Sequence, residues 1–379
     1  MKKEGLEAVC IILGTIIGAG VLGIPYVIAK AGFLIGLIDL VIIGLLVLFM
    51  NLFLGEVILR TNGNHQLTGY VEIYLGKTFK FLMFLSMVLG IYGALIAYLI
   101  GEGASLSAIF SGNPLIYSII FFIIVTFIVH KGIRTLASSE LMVSTVTLIV
   151  IFIIIILSSQ KFNINNIVDL NIPMIFLPYG AILFAYLGTV SIPEVKEELI
   201  KNRKLMKKAI IIGSLIPIFV YVLFALFIVG ATGIETTEIS TIGLGNLLGL
   251  KMIILGNLFA IFAMFTSFIA LAYALKEMYQ YDYKLSKSSS LILTCLVPFI
   301  IFLLIRDFAS FIDLISITGA LFGGLDGILI VLMYWKAKKM SQRKPEYSLS
   351  KHYLIGYLII LIFFVGIILT VSGLFNQLL

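Results

Sequence analysis

The sequence predicts an all-α polytopic membrane protein with 11 transmembrane helices, two of them discontinuous. Three observations carry this. Of 379 residues, 61% are hydrophobic and 12% are charged, where a soluble domain carries about a quarter charged residues. Apolar runs long enough to cross a bilayer, about 20 residues each, recur along the whole chain. Lysine and arginine fall in alternate connecting segments, as the positive-inside pattern requires.

The runs lie at roughly 6–29, 33–59, 79–110, 115–130, 136–158, 172–195, 208–231, 250–277, 290–305, 310–335 and 353–376. The fourth and ninth are short. Met1-Lys2-Lys3 ahead of the first run is similar to a secretory signal. That run is longer than a signal core and broken by glycines, so it reads as an uncleaved span. With the N-terminus in the cytoplasm, 22 of the 26 basic residues are cytoplasmic, leaving only Lys30, Lys161, Lys251 and Arg306 outside. The expected topology is therefore N-in and C-out, in the plasma membrane. The net charge of +7 is mostly this asymmetry. The basic stretch 196–208 also holds Glu197 and Glu198 and reads as a solvated loop, not a nucleic-acid site. The stretch 336–351 reads the same way, with contact to anionic lipid. The expected partners are the lipid bilayer and a small substrate. No nucleic acid and no obligate protein partner is called for.

The first span is organised around Gly14-Thr15-Ile16-Ile17-Gly18-Ala19-Gly20. Each glycine costs a helix about 1 kcal/mol relative to Ala, and Pro25 follows. Unwound backbone at membrane depth cannot be satisfied by lipid, so it must face protein, water or a ligand. Close helix packing by small residues would also explain it. The sixth span carries Pro173, Pro178, Gly180, Gly188 and Pro193, with its break expected at Ala185-Tyr186-Leu187-Gly188. Two breaks five spans apart imply halves that run in opposite directions, an inverted repeat of five plus five. The expected halves are 1–158 and 172–335 of a single transporter domain (1–379), with 353–376 as an extra helix.

Other chemistries lack their signatures. Cys10 and Cys295 fall in apolar runs and suggest neither a disulfide framework nor a metal site. His65, His130 and His352 form no HExxH spacing. The glycine-rich stretch lacks the Lys-Ser/Thr of a phosphate loop.

The run from Gly14 to Tyr26 resembles the first span of amino acid/auxin permeases and of related aromatic amino acid permeases. Leu177-Pro178-Tyr179-Gly180-Ala181-Ile182-Leu183-Phe184-Ala185-Tyr186, followed by Ile192-Pro193-Glu194, resembles their sixth span. These belong to the amino acid–polyamine–organocation superfamily with its LeuT-type fold. The resemblance implies an amino acid site at the breaks. The half-helix starting near Gly18 would aim its N-terminal dipole at the membrane midplane. Free N–H groups of Gly18, Ala19 and Gly20 would hold the carboxylate, and glycine would let it approach the backbone. Freed carbonyls of Ile16, Phe184 and Ala185 would take the ammonium. Tyr186, Thr189 and either Tyr92 or Tyr98 would line the side-chain pocket.

In the eighth span, Ala263, Thr266 and Ser267 share one helical face. The pattern is similar to that of neurotransmitter:sodium symporters. Carried over, sodium would be held by the carbonyls of Gly14, Ile17 and Ala263 and the hydroxyls of Thr266 and Ser267. The alternative is that Ser267 bonds back to Ala263. Some proton-coupled relatives replace sodium with a fifth-span lysine. Thr147 stands there, which favours sodium. Protons would instead use an intramembrane carboxylate, of which Asp39, Glu56, Glu102 and Asp326 are candidates. Asp39 and Glu56 lie near span ends, where solvation is expected.

The function expected is a secondary active amino acid importer working by alternating access and coupled to sodium, needing no cofactor and catalysing no reaction. A proton-coupled permease is the alternative. An intramembrane enzyme would need clustered carboxylates or a metal motif, and a channel or sensor finds less support.

Overall fold

Among the described residues of the computed structural model, eight helices are long and apolar enough to cross a bilayer, and a bent pair adds a ninth. The structure describes residues 3–132, 136–168 and 171–378. Span 1 is the bent pair, Lys3–Ile16 and Gly20–Ala31, turned by 52° at its break. Spans 2, 3 and 4 are Phe33–Arg60, Lys77–Phe110 and Pro114–Lys131. Span 5 is Leu136–Ser159, and span 6 is the pair Leu177–Tyr186 and Ile192–Glu198. Spans 7 and 8 are Met206–Thr232 and Leu250–Tyr281. Span 9 covers Lys287–Ile305, span 10 Phe311–Ala337 and span 11 Tyr353–Leu378. Short helices, Leu67–Leu75 and Ser240–Leu248, join spans 2 to 3 and 7 to 8.

Local chemistry explains the ends. Span 4 starts with Pro114, and the Asn113 side chain accepts from the Leu115 N–H at 2.9 Å. Proline there loses no helical hydrogen bond. It stops at Gly132, whose φ of +70° suits glycine. Ser310 and Asp313 cap span 10 reciprocally. Spans 9 and 10 each contain a π-helical turn, Ile292–Leu296 and Thr318–Gly323, a distortion often found at functional sites.

The centre of the bundle holds the two broken spans side by side. A Cβ on Gly20 would sit 2.5 Å from the Ala185 Cα, so only glycine allows this approach. Large apolar side chains such as Phe127, Ile156, Leu304 and Leu361 are exposed on spans 4, 5, 9 and 11. In water that surface would be costly. In a bilayer it is the lipid face.

The end of the bundle marked by the basic segments is tied by residues 336–351. Backbone N–H groups of Gln342 and Arg343 donate to the Arg60 carbonyl at 3.1 and 3.2 Å. Tyr347 donates to the Leu52 carbonyl at 2.7 Å. Two expectations are corrected here. Glu56 is not solvated at a span end. It is fully buried, paired with Arg60 and Lys338 at 2.8 and 2.7 Å, and accepts from the Leu349 N–H at 2.7 Å. Lys196 is not in a solvated loop. It lies buried in the second half of span 6 and donates to the Gly63 carbonyl.

Candidate functional site between the two broken spans

The break in span 1 frees backbone in a defined way. The Gly18 N–H, whose helical acceptor would be the Gly14 carbonyl, instead donates to Ile16 at 2.9 Å. The Val21 N–H donates to Gly18 rather than to Ile17. The Gly14 and Ile17 carbonyls thus lose their ordinary helical partners. The N–H groups of Ala19 and Gly20 lead the half-helix Gly20–Ala31, where first-turn donors have no intrahelical acceptor. The expectation of a free Gly18 N–H is corrected. Ala19 and Gly20 remain the available donors.

In span 6 the helix ends at Tyr186 and resumes at Ile192, with one 3₁₀ turn at Thr189–Ser191. Leu187 donates back to the Phe184 carbonyl at 3.1 Å. The Tyr221 hydroxyl of span 7 reaches both breaks, 2.6 Å from the Ile16 carbonyl and 3.1 Å from that of Ala185. A carbonyl has two lone pairs, so both can still accept from a ligand. Nothing about sequence spacing pointed to Tyr221. Its one signal was a lone phenol in an apolar span, whose hydroxyl needs a partner when buried.

A cavity lies between the breaks. Its walls include Ile16, Gly18, Ala19, Gly20, Phe184, Ala185 and Thr189. Span 3 adds Ser86, Met87, Gly90, Ile91, Ala94 and Tyr98, and spans 8 and 10 add Ser267, Thr318, Phe322 and Asp326. Tyr186 is not in this wall. Its ring packs on Tyr221, with centroids 5.2 Å apart, and against Gly44. Tyr92 is not there either, because its hydroxyl donates to the Leu293 carbonyl at 2.6 Å. Of the three tyrosines expected around the substrate, Tyr98 alone faces the cavity.

A second, larger space opens toward the basic end. Thr15, Val190 and Ala270 line both spaces, so they adjoin. Its walls carry Glu194, Glu197, Glu198, Glu277 and Asp282. At the mouth, burial pushes the Asp282 carboxyl above the ordinary aspartate range, against the pull of the Thr68 hydroxyl that donates to it. At the opposite end three hydrogen bonds join separate segments. Lys30 donates to the Ile234 carbonyl at 3.1 Å, the Asn171 N–H donates to Ala31 at 3.1 Å, and the Ile312 N–H donates to Glu238 at 3.3 Å.

Four of the five expected sodium ligands divide between these spaces, and Ala263 lines neither. Gly14, Ile17 and Thr266 line the open vestibule, together with Thr147. Ser267 lines the inner cavity. A Cβ on Gly18 would run into the Ser267 Oγ and lie 4.0 Å from the Ala263 carbonyl. Thr266 bonds back to Phe262 and Ala263 at 3.0 and 3.2 Å. The back-bond expected of Ser267 as the alternative is thus made by Thr266. The Ser267 Oγ is buried without a hydrogen-bond partner among the described residues. Asp326 lines the inner cavity, while Asp39, Glu56 and Glu102 line neither space.

Comparisons agree with this architecture. The chain aligns with the "Tyrosine-specific transport system 1" of Haemophilus influenzae at 24% identity, over 88% of each chain. Its fold is similar to that of MhsT in complex with L-phenylalanine, with a TM-score of 0.75 and 15% identity, over 96% of this chain and 98% of that one. It is similar also to a manganese transporter from Eremococcus coleocola, with a TM-score of 0.74 and 14% identity, over 98% and 87%. The fold is therefore LeuT-type. The tryptophan/tyrosine permease family matches residues 1–372. This agrees with the aromatic branch of the resemblance and gives no support to the auxin one. The chain belongs to the tryptophan/tyrosine permease family.

Proposed function

We propose that the protein imports an aromatic amino acid across the plasma membrane by alternating access, with its N-terminus cytoplasmic and its C-terminus outside. The observation that carries this is the single cavity shared by both breaks. Ala19 and Gly20, which lead the half-helix, line it together with Ile16 and Ala185. A zwitterion needs donors and acceptors arranged in this way. With the basic end cytoplasmic, the state described is inward-open. The adjoining vestibule is the exit path, and the Lys30–Ile234 and Asn171–Ala31 contacts close the outer side.

Sodium is the favoured coupling ion. The Gly14 and Ile17 carbonyls have lost their helical donors, and the Ser267 Oγ is buried and unpartnered among the described residues. A Thr266 hydroxyl that donates to carbonyls still offers its lone pairs. A proton is the second reading, favoured by Glu102, both of whose oxygens are buried without a partner among the described residues.

Counterflow of labelled tyrosine or tryptophan in proteoliposomes tests the transport reading without any coupling gradient. Uptake is expected in the wild type and absent in Gly20→Val, whose side chain would collide with Ala185. Wild-type uptake of neither substrate, or full activity in the variant, would reject the site.

A further inference from the structure

Among the described residues, Asp326 is the one carboxylate that faces the inner cavity, and its Oδ1 has no hydrogen-bond partner there. Its position is set by span 10. A Cβ on Gly323 would lie 2.8 Å from the Leu187 Cδ1, so Gly323 marks the level at which the span 6 helix ends. Asp326 is three residues further, about 4.5 Å along a helix rising 1.5 Å per residue. Ser86 lies in the same wall but gives its hydroxyl hydrogen to the Phe322 carbonyl at 3.0 Å. The same hydroxyl is also within reach of the Asp326 carboxyl, so its single hydrogen serves one acceptor at a time.

Between the breaks and Asp326 the wall is apolar. Ser86, Gly90 and Ala94 recur every fourth residue on span 3, one face of small side chains. Phe322 packs directly on Gly90, where an added Cβ would stand 3.0 Å from the Phe322 Cβ, so the small face of span 3 lets span 10 approach and bring Asp326 to the cavity wall.

We propose that Asp326 is a specificity residue. It accepts a hydrogen bond from a donor on the far edge of the substrate ring, the phenolic O–H of tyrosine or the indole N–H of tryptophan. The backbone at the breaks holds the amino acid group at the other end. This rests on the reading of the protein as an aromatic amino acid transporter. A carboxylate only accepts. Phenylalanine brings no donor, so its ring would displace water from Asp326 and leave Oδ1 unpaired. Sites built to bond a substrate O–H or N–H reject the analogue that lacks it for this reason.

The test is counterflow of labelled tyrosine, tryptophan and phenylalanine in proteoliposomes carrying the wild type, Asp326→Leu or Asp326→Asn. The wild type is expected to prefer tyrosine or tryptophan over phenylalanine at least tenfold. Asp326→Leu should narrow that ratio at least tenfold. Asp326→Asn keeps an uncharged acceptor and should narrow it about threefold. If Asp326 instead held the substrate ammonium or a coupling proton, all three substrates would change together, and the assignment would be overturned. If the Leu variant fails to insert, an unchanged ratio in the Asn variant overturns it equally. A wild type that takes phenylalanine as readily sinks this inference while the transport reading stands. A wild type that moves none of the three sinks both.

Discussion

Glu56 and Glu102 are the same side chain at the same burial, each fully enclosed within a membrane span. Their surroundings are opposite. Glu56 meets Arg60, Lys338, the Ser348 hydroxyl and the Leu349 N–H. Glu102 meets none of these, and neither of its oxygens has a hydrogen-bond partner among the described residues. An ionised carboxylate at a helix centre costs about 3 kcal/mol or more unless paired. The first glutamate offsets that cost with cations, one of them brought by a segment that folds back onto span 2. The second has no such offset, and a chain tolerates a group of this kind where it has work to do. Glu102 also stands one turn beyond Tyr98, on the closed side of the substrate cavity. Burial alone therefore says little about role. The partners decide.

The largest stability effect is expected at the clasp. Glu56→Leu strands Arg60 and Lys338 among buried atoms, and breaking a buried pair in this way costs about 3–5 kcal/mol. The thermal midpoint in detergent should fall. Cys10 and Cys295 are buried and unbonded to one another, so a thiol-reactive dye can report unfolding. A midpoint within a degree of wild type would mean that the network is ornamental and that the contrast with Glu102 is empty.

Glu102→Gln should do the reverse. It removes the ionisable group while keeping the volume, so stability should stay the same or rise by about 1 kcal/mol. Under the proton reading, uptake driven by an imposed pH gradient disappears while counterflow of labelled amino acid persists. A variant that loses stability like Glu56→Leu would show that Glu102 is a structural residue with a partner outside the described residues.

Legibility in the sequence followed the range of the interactions. The breaks were readable because Gly14, Gly18, Gly20 and the prolines of span 6 act through their own backbone. The positive-inside count was readable because it needs only order along the chain. Rotational setting was not. Spans apolar on every face carry no amphipathic stripe, so nothing distinguished Tyr98, which faces the cavity, from Tyr92 and Tyr186, which do not. Long-range ties were equally hidden. Tyr221 is 205 residues from Ile16, and Leu349 is 293 from Glu56. The misplacement of Glu56 in solvent follows from the second of these, since only the loop that returns to span 2 makes the site dry.

The smallest stability change, and the one that bears most on the comparison, is expected from Thr266→Ala with Ser267→Ala. Thr266 is partly exposed to the vestibule and bonds only its own helix. Removing such a hydroxyl costs about 1 kcal/mol or less. Ser267 has no partner among the described residues to lose. The helix should persist and substrate binding at saturating sodium should suffer little. The response to sodium should change sharply, because two of five proposed oxygen ligands are gone. Each sodium moved down a 100 mV potential supplies about 2.3 kcal/mol, before any concentration gradient. Loss of its site should abolish sodium-stimulated uptake or raise the half-saturating concentration tenfold or more. The measurement is proteoliposome uptake under imposed sodium gradients, set against imposed pH gradients without sodium. Wild-type uptake that follows pH and ignores sodium would end the sodium reading, and the unpartnered Glu102 would then take the coupling role. Wild-type uptake that follows sodium and is lost in the double variant would leave Glu102 buried without a transport duty, and the contrast between the two glutamates would need another explanation.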